Sequence, residues 1–281
     1  MNVIHEEQSI PRLGRGVDQS GALSDAAQKR VLEVLRRYRT YLDTHHPDAA
    51  DSTIVTATSA VRDASNRLEF LNHIKHATGW SVRLLSGDDE ARTTYRGALS
   101  VLDFQPGADN VVLDIGGGST EIAIGKGDDL HTFVSLDMGS VRFSERFLKH
   151  DPPLAAELEA ERSEIRRMLS DWSDTPISFD HLIGVAGTVT SMAGIELGLH
   201  DYDAQKINEH RCSLEFIEEM ISEFIQVESE EIERRYPVFL KGRGDVITGG
   251  LIILTEFMKW SGKEEVVIST GGIRHGVLLE L

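Results

Sequence analysis

Asp114 and Glu121 bracket a loop whose composition points to chemistry. Between them run Ile115, Gly116, Gly117, Gly118, Ser119 and Thr120. Three consecutive glycines carry no Cβ, so the backbone there can approach a ligand closely. Successive N–H groups in such a turn form a concavity that holds an anion. A loop that only binds phosphate needs no acids. A carboxylate on each side therefore points to a divalent cation, a proton transfer, or both. The plainer alternative is a glycine-rich hairpin turn.

Three further positions follow predicted strands, where open α/β sheets gather ligands. Gly184-Val185-Ala186-Gly187-Thr188 leads from a strand into a helix. N–H groups, helix dipole and the Thr188 hydroxyl there suit a phosphate. A tight β–α turn explains the same residues. Ser86-Gly87-Asp88-Asp89-Glu90-Ala91 opens a helix, where acids are ordinary partners of the dipole. Glu90 gains weight only if its strand end faces the glycine loop. Arg62, just after a short strand, is either a surface ion-pair partner or a fork-shaped phosphate clamp. Arg12, Arg15 and Arg243 are weaker candidates. The 11 histidines show no HExxH or close ligand spacing, so no zinc site is expected. There is no G-x-x-x-x-G-K-[ST], which argues against a P-loop nucleotide site.

The elements that must position these residues are legible as patterns. Ser24 is a cap for a helix to about His45, with Val31, Val34, Leu35, Tyr38 and Leu42 on one face. Strands are predicted over Thr53–Ala57 and Ser81–Leu85, a helix to His76 between them, and a helix over Asp88–Leu102. Val111–Leu113 and Ile122–Ile124 flank the glycine loop as strands. A further strand, His131–Leu136, follows the Lys126-Gly127-Asp128 turn. Helices over Ser140–Leu148 and Ala155–Trp172 precede a strand at His181–Val185. After the helix opened by Gly187-Thr188 come three more helices, a strand at Glu265–Ser269 and a closing helix. From Val111 the order is β-β-β-α-β-α-β-α, which implies a mixed, largely parallel sheet covered by helices. Residues 1–103 show the later part of the same order. The chain reads as two copies of one α/β unit around a cleft, the first incomplete, with Asn2–Gln8 as the remnant of a strand.

Composition bounds the function. The chain has 281 residues and is 40% hydrophobic, enough for one large or two ordinary domains. Its net charge is −17. That argues against nucleic acid and anionic membranes as partners, so any polyanion must meet a local positive site or a metal. The single cysteine, Cys212, excludes an internal disulfide and fits a reducing, cytoplasmic compartment. No apolar run reaches the roughly 18 residues of a membrane span. Met1–Gln8 lacks the basic and apolar segments of a signal peptide.

Taken together, the motifs resemble the exopolyphosphatase / guanosine pentaphosphate phosphatase (Ppx/GppA) family. Thr58-Ser59-Ala60-Val61-Arg62-Asp63-Ala64, Ser86–Ala91, Val112–Glu121, Gly184–Thr188, Gly242-Arg243-Gly244-Asp245 and Ser269-Thr270-Gly271-Gly272-Ile273-Arg274-His275-Gly276 occur in the family order over nearly the whole chain. The resemblance implies an actin-like, ribonuclease H-like α/β fold of duplicated mixed-sheet domains around a cleft. Domain I is expected over residues 1–103 and domain II over 104–281, with the terminal helix packing on domain I. It implies removal of terminal phosphate from inorganic polyphosphate or from pppGpp with Mg2+, in a cytoplasmic homodimer. Glu90 is then the base on the attacking water, Glu121 a second catalytic acid and Asp114 a metal ligand. Phosphate falls to Arg62, Gly116, Gly117, Gly118, Ser119, Gly187 and Thr188. The family's opening strand and D-x-G-S-N-S/T loop have no counterpart here, so the first domain is expected to be N-terminally truncated. That departure supports an alternative: a non-catalytic alarmone- or phosphate-binding regulator, or an inactive fragment, on the same fold.

Overall fold

The computed structural model describes residues 4–103, 107–127 and 129–280. The chain divides into two compact units, Met1–Ser86 and Gly87–Leu281. The sequence-based expectation set the division at residue 103.

The first unit runs α1 (Val17–Ser20), α2 (Asp25–His45), α3 (Pro47–Ala50), β1 (Val55–Ala57), α4 (Ser59–Arg62), α5 (Arg67–Thr78) and β2 (Val82–Leu84). Ser24 caps α2, its hydroxyl accepting the Ala27 N–H at 3.3 Å. Its place before an apolar-periodic run calls for such a cap. β1 and β2 pair in parallel. Val61, Ala64, Phe70 and Ile74 form the core with Val17 and Leu23. Residues 4–10 form no strand; Asn2 and Val3 of the expected remnant lie outside the described residues.

The second unit opens with α6 (Gly87–Leu99), then β3 (Asp109–Ile115), β4 (Thr120–Lys126), β5 (Asp129–Leu136), α7 (Ser140–Phe147), α8 (Ala155–Trp172), β6 (His181–Val185) and α9 (Ala186–Glu196). It continues with α10 (Ala204–Ile207), β7 (Arg211–Ser213), α11 (Leu214–Phe224), α12 (Ser229–Arg235), α13 (Gly244–Ser261), β8 (Glu265–Ile268) and α14 (Ile273–Leu279). The sheet order is β5-β4-β3-β6-β8-β7. β3, β6 and β8 are parallel, while β4 runs against both β3 and β5. β7 is a short antiparallel edge strand that the sequence reading missed. So short a segment carries too little period to register as a strand. Asp128, expected in the β4–β5 turn, lies outside the described residues.

Period-two alternation sorts the sheet's side chains. Val111, Leu113, Ile115, Ile122, Ile124 and Leu182 face a large core shared with α7, α8, α9, α11 and α13. Val112, Ala123, Ile183 and Val185 face the other way, against Ala91, Tyr95 and Ala98 of α6. That apolar stripe joins α6 to the second unit, which is why the division falls before it. The closing helix α14 packs on α6 through glycines: a Cβ on Gly276 would overlap the Thr93 carbonyl.

Candidate functional site

The alternation that builds the core also gathers the acids. Asp114 shares parity with Val112, Glu121 with Ala123, and Ser135 with Phe133. All three therefore emerge on the α6 side of the sheet. Across the β3–β4 hairpin Asp114 lies directly opposite Glu121, and Glu121 lies opposite Ser135 on β5. Glu90 joins them from the first turn of α6, one residue before the buried Ala91. Glu90 and Glu121 are buried, and Asp114 is partly open at its strand end.

The electrostatics of this cluster are unfavourable when it stands alone. Burial, then the charge of Glu90, push the Asp114 carboxyl above the usual carboxylate range. The Thr94 hydroxyl, 3.5 Å from Oδ2, opposes this. Burial, then Asp114 and Glu90, push Glu121 up as well. Ser135 Oγ donates to Glu121 Oε1 at 2.6 Å and works the other way, as does Ser119. Asp114 and Glu121 have no cationic side-chain partner among the described residues. Hard oxygen donors short of positive charge are what Mg2+ takes, so this set fits that ion.

The glycine loop is held by its carbonyls. Ser140 N donates to Gly116 O at 2.9 Å, and Val141 N and Arg142 N donate to Gly117 O at 2.9 and 3.0 Å. Arg142 Nε donates to Gly118 O at 2.6 Å. The start of α7 thus consumes the loop's acceptors. The N–H groups of Gly117 and Gly118 have no partner among the described residues, which leaves them for an anion. Gly139 permits this docking: a Cβ there would lie 2.5 Å from the carbonyl carbons of Gly117 and Gly118.

A second loop lies alongside, because β6 pairs with β3 and places Val185 beside Asp114. Ala186 turns the chain from β6 into α9 at φ 68°. That is left-handed backbone, strained for a residue with a Cβ. The first N–H groups of α9, at Gly187 and Thr188, have no intrahelical acceptor. Thr188 and Ser140 at the start of α7 both crowd Gly250 of α13, where a Cβ would come within 2.9 Å of Thr188 Oγ1 and 3.2 Å of Ser140 Cβ.

Arg243 was underweighted by the sequence reading. Its guanidinium lies against Gly187 so closely that no Cβ would fit there. Burial pulls its pKa down, and its guanidinium has no hydrogen-bond or ion-pair partner among the described residues. A half-buried cation without a carboxylate, lying against the first turn of α9, has the charge and the donor fork that suit an anion. Its signals in the sequence are its place at the start of an apolar helix and its membership of the Gly242-Arg243-Gly244-Asp245 motif.

The structure therefore brings Glu90, Asp114, Glu121, Gly116–Gly118, Ser119, Gly187 and Thr188 together on the second unit. Glu90 was expected from domain I; the packing of α6 assigns it to the same unit as the glycine loop. Arg62 belongs to the first unit, where its Nη1 donates to Leu85 O at 3.1 Å.

The chain is 32% identical to Exopolyphosphatase 2 of Mycobacterium tuberculosis over 99% of its length and 89% of that protein's. It is 32% identical to the bifunctional 3-dehydroquinate synthase/phosphatase of Fusobacterium nucleatum, spanning 42% of that protein. It is 29% identical to the guanosine-5'-triphosphate,3'-diphosphate pyrophosphatase of Photobacterium profundum, spanning 52% of it. An exopolyphosphatase-like protein of known structure superposes with a TM-score of 0.90 at 29% identity, covering 100% of this chain and 92% of that one. No helix among the described residues is long and apolar enough to cross a membrane. The model of the Ppx/GppA phosphatase family matches residues 1–281, and the chain belongs to that family of phosphohydrolases.

Proposed function

We propose that this protein removes the terminal phosphate of inorganic polyphosphate or pppGpp by attack of water on the outermost phosphorus. The observation that carries this reading is the convergence of Glu90, Asp114 and Glu121 beside two loops of unpartnered N–H groups. A protein that only bound phosphate would gain nothing from three crowded acids.

The roles follow from chemistry. Gly116, Gly117, Gly118 and Ser119 cradle the terminal phosphoryl group, and Gly187 and Thr188 at the α9 N-terminus take its neighbour. Arg243 supplies the fork-shaped positive charge that binds a polyanion to a chain of net charge −17. Asp114 and Glu121 hold Mg2+, which when bound neutralises charge on the reacting phosphate. Glu90 accepts a proton from water as its oxygen bonds to phosphorus. The bridging P–O bond breaks in line, leaving orthophosphate and a chain or nucleotide one phosphate shorter. Both substrate classes are kept because relatives carrying each name match over 96% or 99% of this chain.

The test is phosphate release from polyphosphate and from pppGpp, with Mg2+, by the native chain and by Glu90→Gln. The native chain should turn over at least one of them. The variant should lose about 10²–10⁴-fold in kcat while still binding substrate. Turnover unchanged in the variant would remove Glu90 from the mechanism. Tight binding without turnover by the native chain would establish the regulator instead.

A further inference from the structure

We propose that Glu196, His210 and Cys212 form a binding site for one zinc-class divalent ion, chemically distinct from the Asp114–Glu121 centre. Glu196 is the last residue of α9, His210 immediately precedes β7, and Cys212 is the middle residue of β7. His210 and Cys212 are only two residues apart along the chain, and the fold brings Glu196 to them. One ligand atom from each lies within 4.8 Å of the others, and His210 Nε2 is 2.7 Å from Glu196 Oε2.

Donor types and access both suit such an ion. Imidazole nitrogen, thiolate and carboxylate are the set zinc takes, with water as a fourth ligand, whereas Mg2+ prefers oxygen alone. Cys212 is fully buried, while the Glu196 and His210 side chains are 27% and 22% exposed. An ion can therefore enter from solvent past the carboxylate and imidazole and meet the sulfur at the inner end. On binding, the Cys212 S–H bond breaks, its proton leaves to solvent and a sulfur–metal bond forms. Glu196 and Cys212, each carrying one negative charge, then balance the ion with neutral His210. The loaded site is neutral at the edge of an apolar core, where an unbalanced charge would be costly.

Position gives the site a meaning. Cys212 sits on the edge strand, opposite Val266 of β8. α9 spans 11 residues. At the helical rise per residue that is about 16 Å, and its other end carries Gly187 and Thr188. The ion would clamp the far end of that helix to the sheet, steadying a phosphate loop it does not touch.

Cys212 is the only cysteine, so a thiolate-to-Co2+ charge-transfer band can arise nowhere else. Metal-stripped full-length chain is titrated with Co2+ while near-ultraviolet absorbance is followed. We expect a band that saturates at one equivalent and is displaced by Zn2+ but not by Mg2+. Cys212→Ser should abolish it. Because that residue is in the core, His210→Ala, with its fold checked by circular dichroism, is the decisive variant. It should weaken Co2+ binding at least about tenfold. No charge-transfer band in the native chain, or a band whose affinity is unmoved by His210→Ala, overturns the site and leaves a hydrogen-bonded trio centred on Glu196.

Discussion

Two groups of buried carboxylates in the second unit are handled in opposite ways. Glu256 on α13 is 2% exposed and meets two arginines: Arg162 Nη1 at 2.7 Å from Oε1 and Arg166 Nε at 2.6 Å from Oε2. Burial by itself would raise its pKa, but the two guanidinium groups together hold it below the usual range. Glu121 is equally buried, yet its neighbours are Asp114, Glu90 and two serine hydroxyls, and its pKa rises. At Glu256 the chain itself supplies the cations. At the candidate site no cationic side chain among the described residues pairs with Asp114 or Glu121, and Arg243 lies against Gly187 instead.

Neutralising one acid in each group should separate the two most clearly. Glu121→Gln should lower phosphate release by about 10³-fold, in the range of a lost catalytic group. It should also raise the melting temperature in metal-free buffer near neutral pH, because the folded chain no longer has to hold a proton that the unfolded chain releases. Glu256→Gln should do the reverse. It leaves two arginines facing a neutral amide and costs about 3 kcal/mol of stability by denaturant unfolding, with turnover per folded molecule retained. A loss of activity at Glu256 with native stability would erase the distinction.

Gly139→Ala tests whether the glycine loop must dock on α7. A displacement of about 1 Å can cost about 10²-fold in rate. That loss should appear in kcat/KM with the acids all intact, and full activity would show that the docking is incidental.

The mildest outcome concerns a third buried acid. Glu161 on α8 is fully buried, and neither of its oxygens has a hydrogen-bond partner among the described residues; Ser144 Oγ on α7 is likewise unpartnered. Burial pushes its carboxyl from 4.5 up to about 8, although Arg162 pulls the other way. Below about pH 4.5 the acid is protonated in both folded and unfolded chains and its ionisation carries no penalty. Between about pH 4.5 and 8 the unfolded chain releases the proton and the folded chain keeps it, so stability falls as pH rises. Glu161→Gln should therefore leave stability near pH 4.5 almost unchanged. Near the upper end of that window it should add about 2 kcal/mol, read from urea midpoints. Equal effects at both ends would mean that Glu161 is charged in the fold.

Much of this was legible in the sequence because it depends on local period and short range. The Ala155–Trp172 helix and the His181–Val185 strand fall on their expected residues, since each carries an uninterrupted helical or extended pattern. The Asp114–Glu121 juxtaposition is also local: a hairpin around a short glycine loop sets the two acids opposite one another. β7 escaped because so few residues define no period.

Sequence alone therefore supplies the inventory: acids around a glycine loop, a phosphate-ready β–α turn, and the elements that carry them. Its motifs already resemble the Ppx/GppA family, and the family model matches over residues 1–281. Which distant residues meet is a matter of packing. Glu90 reaches Asp114 and Glu121 because Ala91, Tyr95 and Ala98 bury α6 on one face of the sheet. Arg243 lies on Gly187 because α13 packs beside α9, and Glu196 finds His210 and Cys212 because an edge strand passes a helix end. Burial of apolar surface drives those meetings. It is non-directional and roughly proportional to area, so no spacing along the chain records its outcome.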